Sequence, residues 1–290
     1  MTALIFGAGG QDGFYLNRLC VEKGYRPVGI SRSGDWLKGD VSNYSQVKDL
    51  IKSFRPKYIF HLAACSSTKH DALFDNHAAI STGTINILEA VYRHSRQTRV
   101  FITGSGLQFE NTDKPISERN EFDPNSPYSV SRINSAYTAR YFRSLGIQTY
   151  IGYLFHHESP LRKIQFVSQK IVSAAKRIAQ GSSDKLQIRS ISVEKEWTFS
   201  GDVVRGMLTL MEQDQVYEAV IGSGKAYSIE KWLELCFGLI GRHWQDHVCI
   251  DEDYKPEYTR LVSDPSTMFS LGWSPKVGME ELARMMMTTT

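Results

Sequence analysis

The chain has 290 residues, of which 41% are hydrophobic and 22% charged, and its formal net charge is +3. These values are ordinary for a globular protein, and the length is sufficient for a large buried core. So small a charge does not favour a nucleic-acid partner, and no apolar run is long enough to span a membrane. The four cysteines form no Cys-x-x-Cys pair and have no metal-ligand spacing. We therefore expect reduced thiols, no bound metal and a cytoplasmic protein.

The N-terminal segment runs from an apolar strand pattern through three closely spaced glycines into a helical pattern. The first glycine allows a sharp turn, the second allows a pyrophosphate to approach the backbone, and the third allows the helix to pack closely on the sheet. The free amides and the positive end of that helix suit phosphate, so the segment predicts a dinucleotide-binding turn. The residues assigned to the cofactor here are Gly7, Gly10, Gln11, Asp12 and Gly13.

Strand and helix patterns alternate through the first half of the chain. Strand patterns fall at 3–7, 27–31, 58–62, 99–103 and 148–154, and helical patterns at 12–23, 44–54, 76–94 and 127–144. Strands separated by helices of this length form a parallel, doubly wound sheet through right-handed crossovers. The predicted fold class is therefore α/β of the Rossmann type.

After about residue 155 the pattern loosens. Helices are expected near 164–180, 201–213, 228–240 and 276–287. We expect residues 1–155 to form the cofactor-binding domain and residues 156–290 to form a smaller substrate-binding lobe interleaved with it. A cleft between two such lobes is where a substrate would bind.

The end of the second strand pattern indicates which dinucleotide binds. An NAD site usually has an acidic residue there, whereas this chain has Arg32 between two serines. A guanidinium suits a 2′-phosphate, so the sequence favours NADP over NAD. Asp40 is placed to accept a hydrogen bond from the adenine amine, and small residues after the third strand pattern let backbone lie against the cofactor. The further residues assigned to the cofactor are Asp40, Val41, Leu62, Ala63 and Ala64.

A tyrosine and a cation are spaced for proton transfer. Tyr128 is followed four residues later by Arg132 within a helical pattern. A cation at this spacing lies on the same helix face and favours the ionised form of a phenol. Such a phenol can move the proton of a sugar hydroxyl or ketone while a nicotinamide moves the hydride. We therefore expect the chemistry at Tyr128.

Further segments carry a family resemblance that covers essentially the whole chain. They are 7–16, 61–64, 126–128, 154–160, Phe166 and Val167, Lys170 and Ile171, the region of Trp197, Asp264 and Pro265, and 271–273. On these segments the chain resembles an extended short-chain dehydrogenase/reductase, and it is most similar to the GDP-mannose 4,6-dehydratases. The Gln-Asp-Gly and His-Glu-Ser-Pro pieces are specific to that branch.

The resemblance implies a nucleotide-diphosphate sugar as substrate, with a GDP-sugar favoured, and a dimer built from the helices near 76–94 and 127–144. It assigns Leu154 and His157 to the cofactor, together with Tyr128 and Arg132. It assigns to the substrate Ser66, His156, Lys170, Arg189 and Lys195. The family has a longer segment after the second strand, which joins dimers into tetramers. Here that segment is short, so we expect a homodimer.

The departures from the family concern its catalytic residues. Where the family has Ser-Thr-x-Glu, this chain reads Ser105, Gly106, Leu107 and Gln108. An amide does not titrate usefully, so Gln108 cannot act as the base that the family's glutamate supplies. The family's lysine is matched by Arg132, which keeps the charge but not the compact ammonium. Ser105, Gln108, Tyr128 and Arg132 are the candidate catalytic positions.

Three hypotheses about function remain at this stage. The first is an oxidoreductase that transfers hydride at C4 of a nucleotide sugar, a reaction that needs only the tyrosine proton relay. The second is a 4,6-dehydratase with a displaced base, of which Glu110 is the first candidate. The third is a catalytically impaired dinucleotide-binding protein, against which the retained Tyr128 argues.

Overall fold

The computed structural model describes residues 1–251 and 253–289. The strands, in chain order, are β1 (Thr2–Phe6), β2 (Arg26–Ser31), β3 (Leu37–Lys38), β4 (Tyr58–His61), β5 (Arg99–Ser105), β6 (Thr149–Leu154), β7 (His157–Glu158), β8 (Leu186–Ile188), β9 (Glu194–Glu196), β10 (Thr198–Phe199), β11 (Glu218–Ile221), β12 (Ala226–Ser228), β13 (Val248–Ile250) and β14 (Arg260–Leu261). The α-helices are α1 (Gln11–Glu22), α2 (Tyr44–Phe54), α3 (Leu73–Asn76), α4 (Gly83–His94), α5 (Pro127–Ser144), α6 (Val167–Ala179), α7 (Ser200–Met211), α8 (Ile229–Gly238), α9 (Ser266–Ser270) and α10 (Met279–Thr288). A π-helical turn, His77–Thr82, joins α3 to α4.

The main sheet has seven strands in the order β11-β6-β5-β4-β1-β2-β3. Every neighbouring pair in it is parallel. The strand order reverses between β1 and β4, and in open α/β sheets ligands bind at such a switch point, beyond the carboxyl ends of the strands. The predicted Rossmann-type fold is therefore confirmed, and the glycine-rich turn that follows β1 lies at this switch point.

Both faces of the main sheet are covered by helices. Along β1, Leu4 and Phe6 pack into the core on one face, whereas Ala3 and Ile5 pack into the core on the other. This alternation follows the two-residue period of a strand, and both faces are buried because α2, α4 and α5 cover one and α1 and α7 cover the other.

A third core lies in the second half of the chain. Helices α6, α8 and α10 pack around it, and the indoles of Trp197 and Trp232 stack there with ring centroids 4.6 Å apart. The chain returns to the main sheet through α7, which packs on α1, and through β11, which pairs with β6. Both elements follow residue 155. The division into two interleaved units at that residue stays a prediction.

The predicted elements are all present, and with one exception no end differs by more than three residues from the expected one. The exception is the helix predicted over 76–94: α4 begins only at Gly83, and a π-helical turn precedes it. The strands that the sequence did not indicate are β3 and β7 to β14. They have two to four residues each, which is too short for a two-residue alternation to stand out.

Candidate active site

The glycine-rich turn between β1 and α1 is too tight for side chains at two of its positions. Gly7 has φ +92°, and a Cβ there would lie 2.6 Å from the Ala63 amide nitrogen. A Cβ on Gly13 would lie 2.6 Å from the Cα of Ala8. Gly10 precedes α1, and no side chain caps the helix there. The turn therefore brings backbone of β1 and β4 together and leaves the first amides of α1 for a phosphate group.

The residues that were predicted to contact the adenosine part of the cofactor lie after the end of β2. Arg32 is exposed, and its charge acts on Asp40. Burial by itself would raise the pKa of Asp40, but hydrogen bonds from Ser42 and the charge of Arg32 hold that pKa below its usual value. Val41 is buried, and its carbonyl accepts a hydrogen bond of 3.0 Å from the Asn86 side chain. The exposed guanidinium of Arg32 is accessible to a phosphate group.

Trp36 is a residue of this edge that the sequence analysis missed. A Cβ on Gly29 of β2 would lie 2.4 Å from Cε3 of the Trp36 indole, and a Cβ on Gly9 would lie 3.9 Å from its Cδ1. The indole thus packs on β2 beside the glycine-rich turn. The glycine inside the strand pattern was the available signal, because such a glycine often marks a close approach of another group.

The beginning of α1 is bound to the segment that contains β7. His157 contacts Asp12 through Nε2 at 3.1 Å, and its Nδ1 lies 2.7 Å from the Phe155 carbonyl oxygen. Burial by itself would lower the pKa of His157, but Asp12 and this carbonyl raise it. Gln11 accepts a hydrogen bond of 2.8 Å from the Ser159 hydroxyl. The predicted cofactor residues Gln11, Asp12 and His157 are therefore one connected group.

Tyr128 and Arg132 lie together at the beginning of α5. Ser126 and Ser129 cap this helix with reciprocal hydrogen bonds, and Pro127 occupies its first turn. The Arg132 guanidinium is buried, lies 5.1 Å from the centroid of the Tyr128 ring, and donates to the Thr103 carbonyl on β5. Tyr128 itself is half-buried. The cation is thus held over the ring face, and it ties α5 to the end of β5.

Two buried polar atoms near this pair have no hydrogen-bond partner among the described residues. They are Nε of Arg132 and Nδ1 of His61, which ends β4. Burial and the charge of Arg132 lower the pKa of His61 to about 4, so its ring is neutral at pH 7. Unpartnered polar atoms beside a glycine turn fit a polar ligand such as a dinucleotide.

The turn after β5 uses its polar side chains for capping. The Gln108 side-chain oxygen accepts a hydrogen bond of 2.9 Å from the Ser105 amide, and the Ser105 hydroxyl accepts one of 3.2 Å from the Leu107 amide. Gln108 has an exposed fraction of 0%. The structure therefore gives Gln108 a capping role and does not bring its side chain to a surface that a substrate could reach.

No carboxylate occurs between residues 103 and 109. Glu110 is the first one after β5, and its side chain is exposed while its amide donates to the Glu121 carbonyl at 2.9 Å. A hydrogen-bond partner that would orient its carboxylate is not found among the described residues.

The residues assigned to the substrate fall into two groups. His156 and Lys195 lie in a buried ion cluster, which we define as His156, Glu158, Arg162 and Lys195. The other three are exposed: they are Ser66, Lys170 and Arg189. Arg189 lies with its guanidinium 5.3 Å from the Tyr254 ring centroid.

His156 is held by protein groups on both sides. Its Nδ1 lies 2.7 Å from the Glu196 carbonyl oxygen, and its Nε2 lies 2.9 Å from Oε1 of Glu158. Burial and the Lys195 ammonium lower the pKa of His156 to about 4. The ring is therefore less available to a substrate than the assignment assumed. Glu158 and Arg162 were missed, although both lie in or beside the His-Glu-Ser-Pro segment.

Leu154, assigned to the cofactor, is buried at the end of β6. Leu62 and Ala64 are half-buried beside Ala63, directly after β4. The described residues contain no cluster of three or more His, Cys, Asp or Glu side chains arranged to bind a metal. No helix within them combines the length and the apolar character needed to cross a membrane.

The family model for GDP-mannose 4,6 dehydratase matches residues 4–286 of the chain. The chain belongs to this family. GDP-mannose 4,6 dehydratase 1 of Arabidopsis thaliana is 33% identical, and the match covers 98% of this chain and 88% of the relative. The GDP-mannose 4,6-dehydratase of Yersinia enterocolitica is 28% identical, with coverage of 97% and 91%. The resemblance stated from the sequence is therefore confirmed.

Solved structures share the fold. RMD from Pseudomonas aeruginosa, complexed with NADPH, superposes with a TM-score of 0.87 at 18% identity, covering 99% of this chain and 96% of that one. The dTDP-glucose 4,6-dehydratase of Bacillus anthracis, in complex with NAD, has a TM-score of 0.85 at 17% identity, with coverage of 98% and 96%. These similarities show the shared fold, and the two neighbours hold NADPH and NAD, respectively.

Proposed function

We propose that this member of the GDP-mannose 4,6-dehydratase family is an NADP-dependent oxidoreductase that acts at C4 of a GDP-sugar. The observation that carries the proposal is the contrast between two parts of one site. The Tyr128–Arg132 pair is present and packed against β5, whereas residues 103–109 offer no carboxylate. This contrast supports a proton relay for hydride transfer and argues against a base for abstraction at C5 in this segment.

The glycine-rich turn and the end of β2 would hold NADP. The cofactor's phosphates would take the free amides at the beginning of α1, and Arg32 would take the 2′-phosphate because a guanidinium forms charge-assisted hydrogen bonds to phosphate. The fit is supported by Gly7 and Gly13, where a Cβ would collide with backbone. When bound, the nicotinamide supplies or accepts the hydride.

Tyr128 is the proposed acid–base residue. Its hydroxyl gives a proton to the C4 oxygen when a ketone is reduced and takes that proton when an alcohol is oxidised. Arg132 helps to fix the orientation of the phenol, because its buried guanidinium packs 5.1 Å from the ring centroid. Its bond to the Thr103 carbonyl keeps the charge in place.

Product analysis separates this function from the dehydratase that the family match favours. The protein is incubated with GDP-mannose and NADP, and in parallel with NADPH and GDP-4-keto-6-deoxymannose. We expect NADPH consumption in the second reaction and no dehydration in the first. Formation of the 4-keto-6-deoxy sugar at about 1 s⁻¹ or more would establish the lyase instead. Glu110→Gln would then test the exposed carboxylate as its base. No turnover in either reaction would support the catalytically impaired protein.

We also propose a homodimer in which α4 and α5 pair with the same helices of a second copy. Apolar side chains of α5 are exposed at Val130, Tyr137 and Tyr141, which have the spacing of one helix face. Ile85 of α4 is exposed as well. Such a patch favours association, since monomers rarely expose contiguous apolar surface.

Light scattering tests the dimer. We expect twice the monomer mass of 32.9 kDa. Tyr137→Lys should shift the mass toward the monomer because it introduces charge into the patch, whereas Tyr227→Lys, at an exposed position elsewhere, should not. A monomer mass for the unmodified protein would refute the proposal.

A further inference from the structure

Residues 254–260, which we call the strap, lead into β14 and pass between two parts of the molecule. Tyr258 of the strap packs against the core that α2, α4 and α5 cover, and it also packs against the third core. The ring centroid of Tyr254 lies 5.3 Å from the Arg189 guanidinium. The strap therefore joins the main sheet to the helices of the second half of the chain.

One attachment of the strap is to the loop that follows β4. The Thr68 hydroxyl donates a hydrogen bond of 3.2 Å to the Glu257 carboxylate at the surface of the molecule. The same loop contains Ser66, which was predicted to bind the substrate. A single bond at the surface is a weak attachment, because both groups can bond to water instead.

The second attachment is to the segment that follows β5, and it is stronger. The Asp113 carboxylate accepts a hydrogen bond of 2.8 Å from the Thr259 hydroxyl and one of 3.1 Å from the Arg260 amide. The Asn111 side chain donates a bond of 2.7 Å to the Arg260 carbonyl. Three bonds thus hold two consecutive residues of the strap, and two of the three have a carboxylate as acceptor, which strengthens them.

The backbone around Asp113 directs its carboxylate to the strap. Asp113 has φ +61°, a left-handed conformation that aspartate and asparagine tolerate better than most residues. Its amide donates to the Asn111 side-chain oxygen at 2.9 Å. Farther along, the Ile116 amide donates to the Val262 carbonyl at 2.9 Å, and the Asp264 amide donates to the Ile116 carbonyl at 2.8 Å. The segment after β5 is therefore bonded to the strap and to the residues that follow it.

These attachments place the strap at the edge of the main sheet where ligands bind. The loops after β4 and β5 leave the carboxyl ends of neighbouring parallel strands, and this end of an open α/β sheet is its ligand side. Beyond the strap, β14 pairs with β9 and sets Leu261 opposite Lys195. The strap therefore lies between the ligand edge and β9, which belongs to the second half of the chain.

We propose that Asp113 is a positioning residue that holds the strap across the ligand edge, so that the strap closes one side of a nucleoside-diphosphate site. The inference rests on the proposed function, because it takes the substrate to be a GDP-sugar. Asp113 acts through Thr259 and Arg260 and not by contact with the substrate. Its loss should weaken the binding of a nucleoside diphosphate and spare the binding of NADPH, whose turn belongs to β1 and α1.

Calorimetric titration with GDP at saturating NADPH tests this role, together with hydrogen exchange of peptides that cover residues 254–261. Asp113→Gly removes the carboxylate, and glycine adopts φ +61° without strain. We expect this variant to bind GDP about tenfold more weakly. We also expect its strap amides to exchange about tenfold faster than in the unmodified protein.

Asp113→Asn is the variant that should restore both quantities. Its side-chain oxygen can accept from the Arg260 amide, and its NH₂ group can donate to the Thr259 hydroxyl, so both should return to within about twofold of the unmodified protein. The matched control is Asp184→Gly, which removes an exposed aspartate from the loop before β8 and should change neither quantity.

Unchanged GDP affinity for Asp113→Gly would overturn the inference, even if the strap exchanges faster, because the strap would then not border the site. An equal loss for Asp113→Asn, or an equal loss of NADPH affinity, would overturn it as well, since the effect would then be a general loosening of the protein.

GDP binding requires no turnover, so this inference and the proposed function can fail separately. If the unmodified protein binds GDP but reduces no 4-keto sugar, the proposed function fails and the affinities of the variants still decide the role of Asp113. If the unmodified protein reduces the 4-keto sugar and Asp113→Gly binds GDP normally, only this inference fails. If the unmodified protein binds no GDP, the GDP-sugar assignment fails together with this inference.

Discussion

The ion group around Glu218 should contribute a large, pH-dependent part of the stability of the sheet. Glu218 begins β11 at the edge of the main sheet and accepts hydrogen bonds from Arg140 at 2.7 Å, from Arg143 at 2.8 Å and from the Tyr153 hydroxyl at 2.7 Å. Its side chain is 15% exposed. These contacts join α5, β6 and β11, so Glu218→Gln should loosen the edge strand.

The magnitude follows from the pKa of Glu218. Burial by itself would raise it, but the hydrogen bonds from Arg140, Arg143 and Tyr153 lower it from 4.5 to about 2. This difference corresponds to about 3 kcal/mol of folding free energy at pH 7. Because the folded-state pKa is the lower one, the unfolded chain takes up the proton first as the pH falls. The contribution is therefore complete well above pH 4.5 and is lost toward pH 2.

Urea unfolding at pH 7 and pH 3 measures this contribution. Glutamine resembles the protonated acid, so Glu218→Gln should lower the free energy of unfolding by about 3 kcal/mol at pH 7 and by less than half as much at pH 3. The control Glu234→Gln removes an exposed pair with Lys231 and should cost about 0–1 kcal/mol at both values. Equal deficits for Glu218→Gln at the two pH values would refute the reasoning.

Three further outcomes concern the site. Arg32→Ala should weaken NADP binding by ~1.5–3 kcal/mol and leave NAD binding nearly unchanged; equal affinities for both dinucleotides in the unmodified protein, measured by calorimetry, would contradict the NADP assignment. Tyr128→Phe should lower turnover by about 10²–10⁴ while NADPH binding and the melting temperature are retained, since the ring still packs under Arg132. Gln108→Glu should not create dehydratase activity and should lower the melting temperature at pH 7, because a carboxylate there would be fully buried; appearance of the 4-keto-6-deoxy sugar would show that the side chain reaches the substrate.

Most of the fold could be predicted from the sequence, because the long elements carry strong periodic patterns. The apolar runs of β1, β4 and β6 are continuous since both sheet faces are buried, and the glycine-rich turn fixes where β1 ends. The course of the chain after residue 155 was harder to predict. The return of β11 to the sheet depends on four residues, and its pairing with β6 is a tertiary contact that no local pattern encodes.

The candidate site was predicted less completely than the fold. Spacing predicts Tyr128 with Arg132 and the cofactor residues around Gly7, because those features are local in sequence, and these assignments stay predictions. Spacing alone could not show that Gln108 caps the Ser105 amide or that His156 is held by Glu158. Both contacts depend on the orientation of a side chain. Tertiary packing determines that orientation, and spacing in the sequence does not show it.

The capping role of Gln108 bears on the choice between the two reactions. A dehydratase needs a base for C5 in addition to the tyrosine, and the family's motif supplies it directly after the strand that corresponds to β5. In this chain the Ser105 hydroxyl and the side-chain oxygen of Gln108 both accept hydrogen bonds that close the turn after β5. Neutral side chains therefore hold this turn. The Thr103 carbonyl, near the end of β5, accepts a hydrogen bond from Arg132. This use of Gln108 supports the proposed hydride transfer at C4 over dehydration.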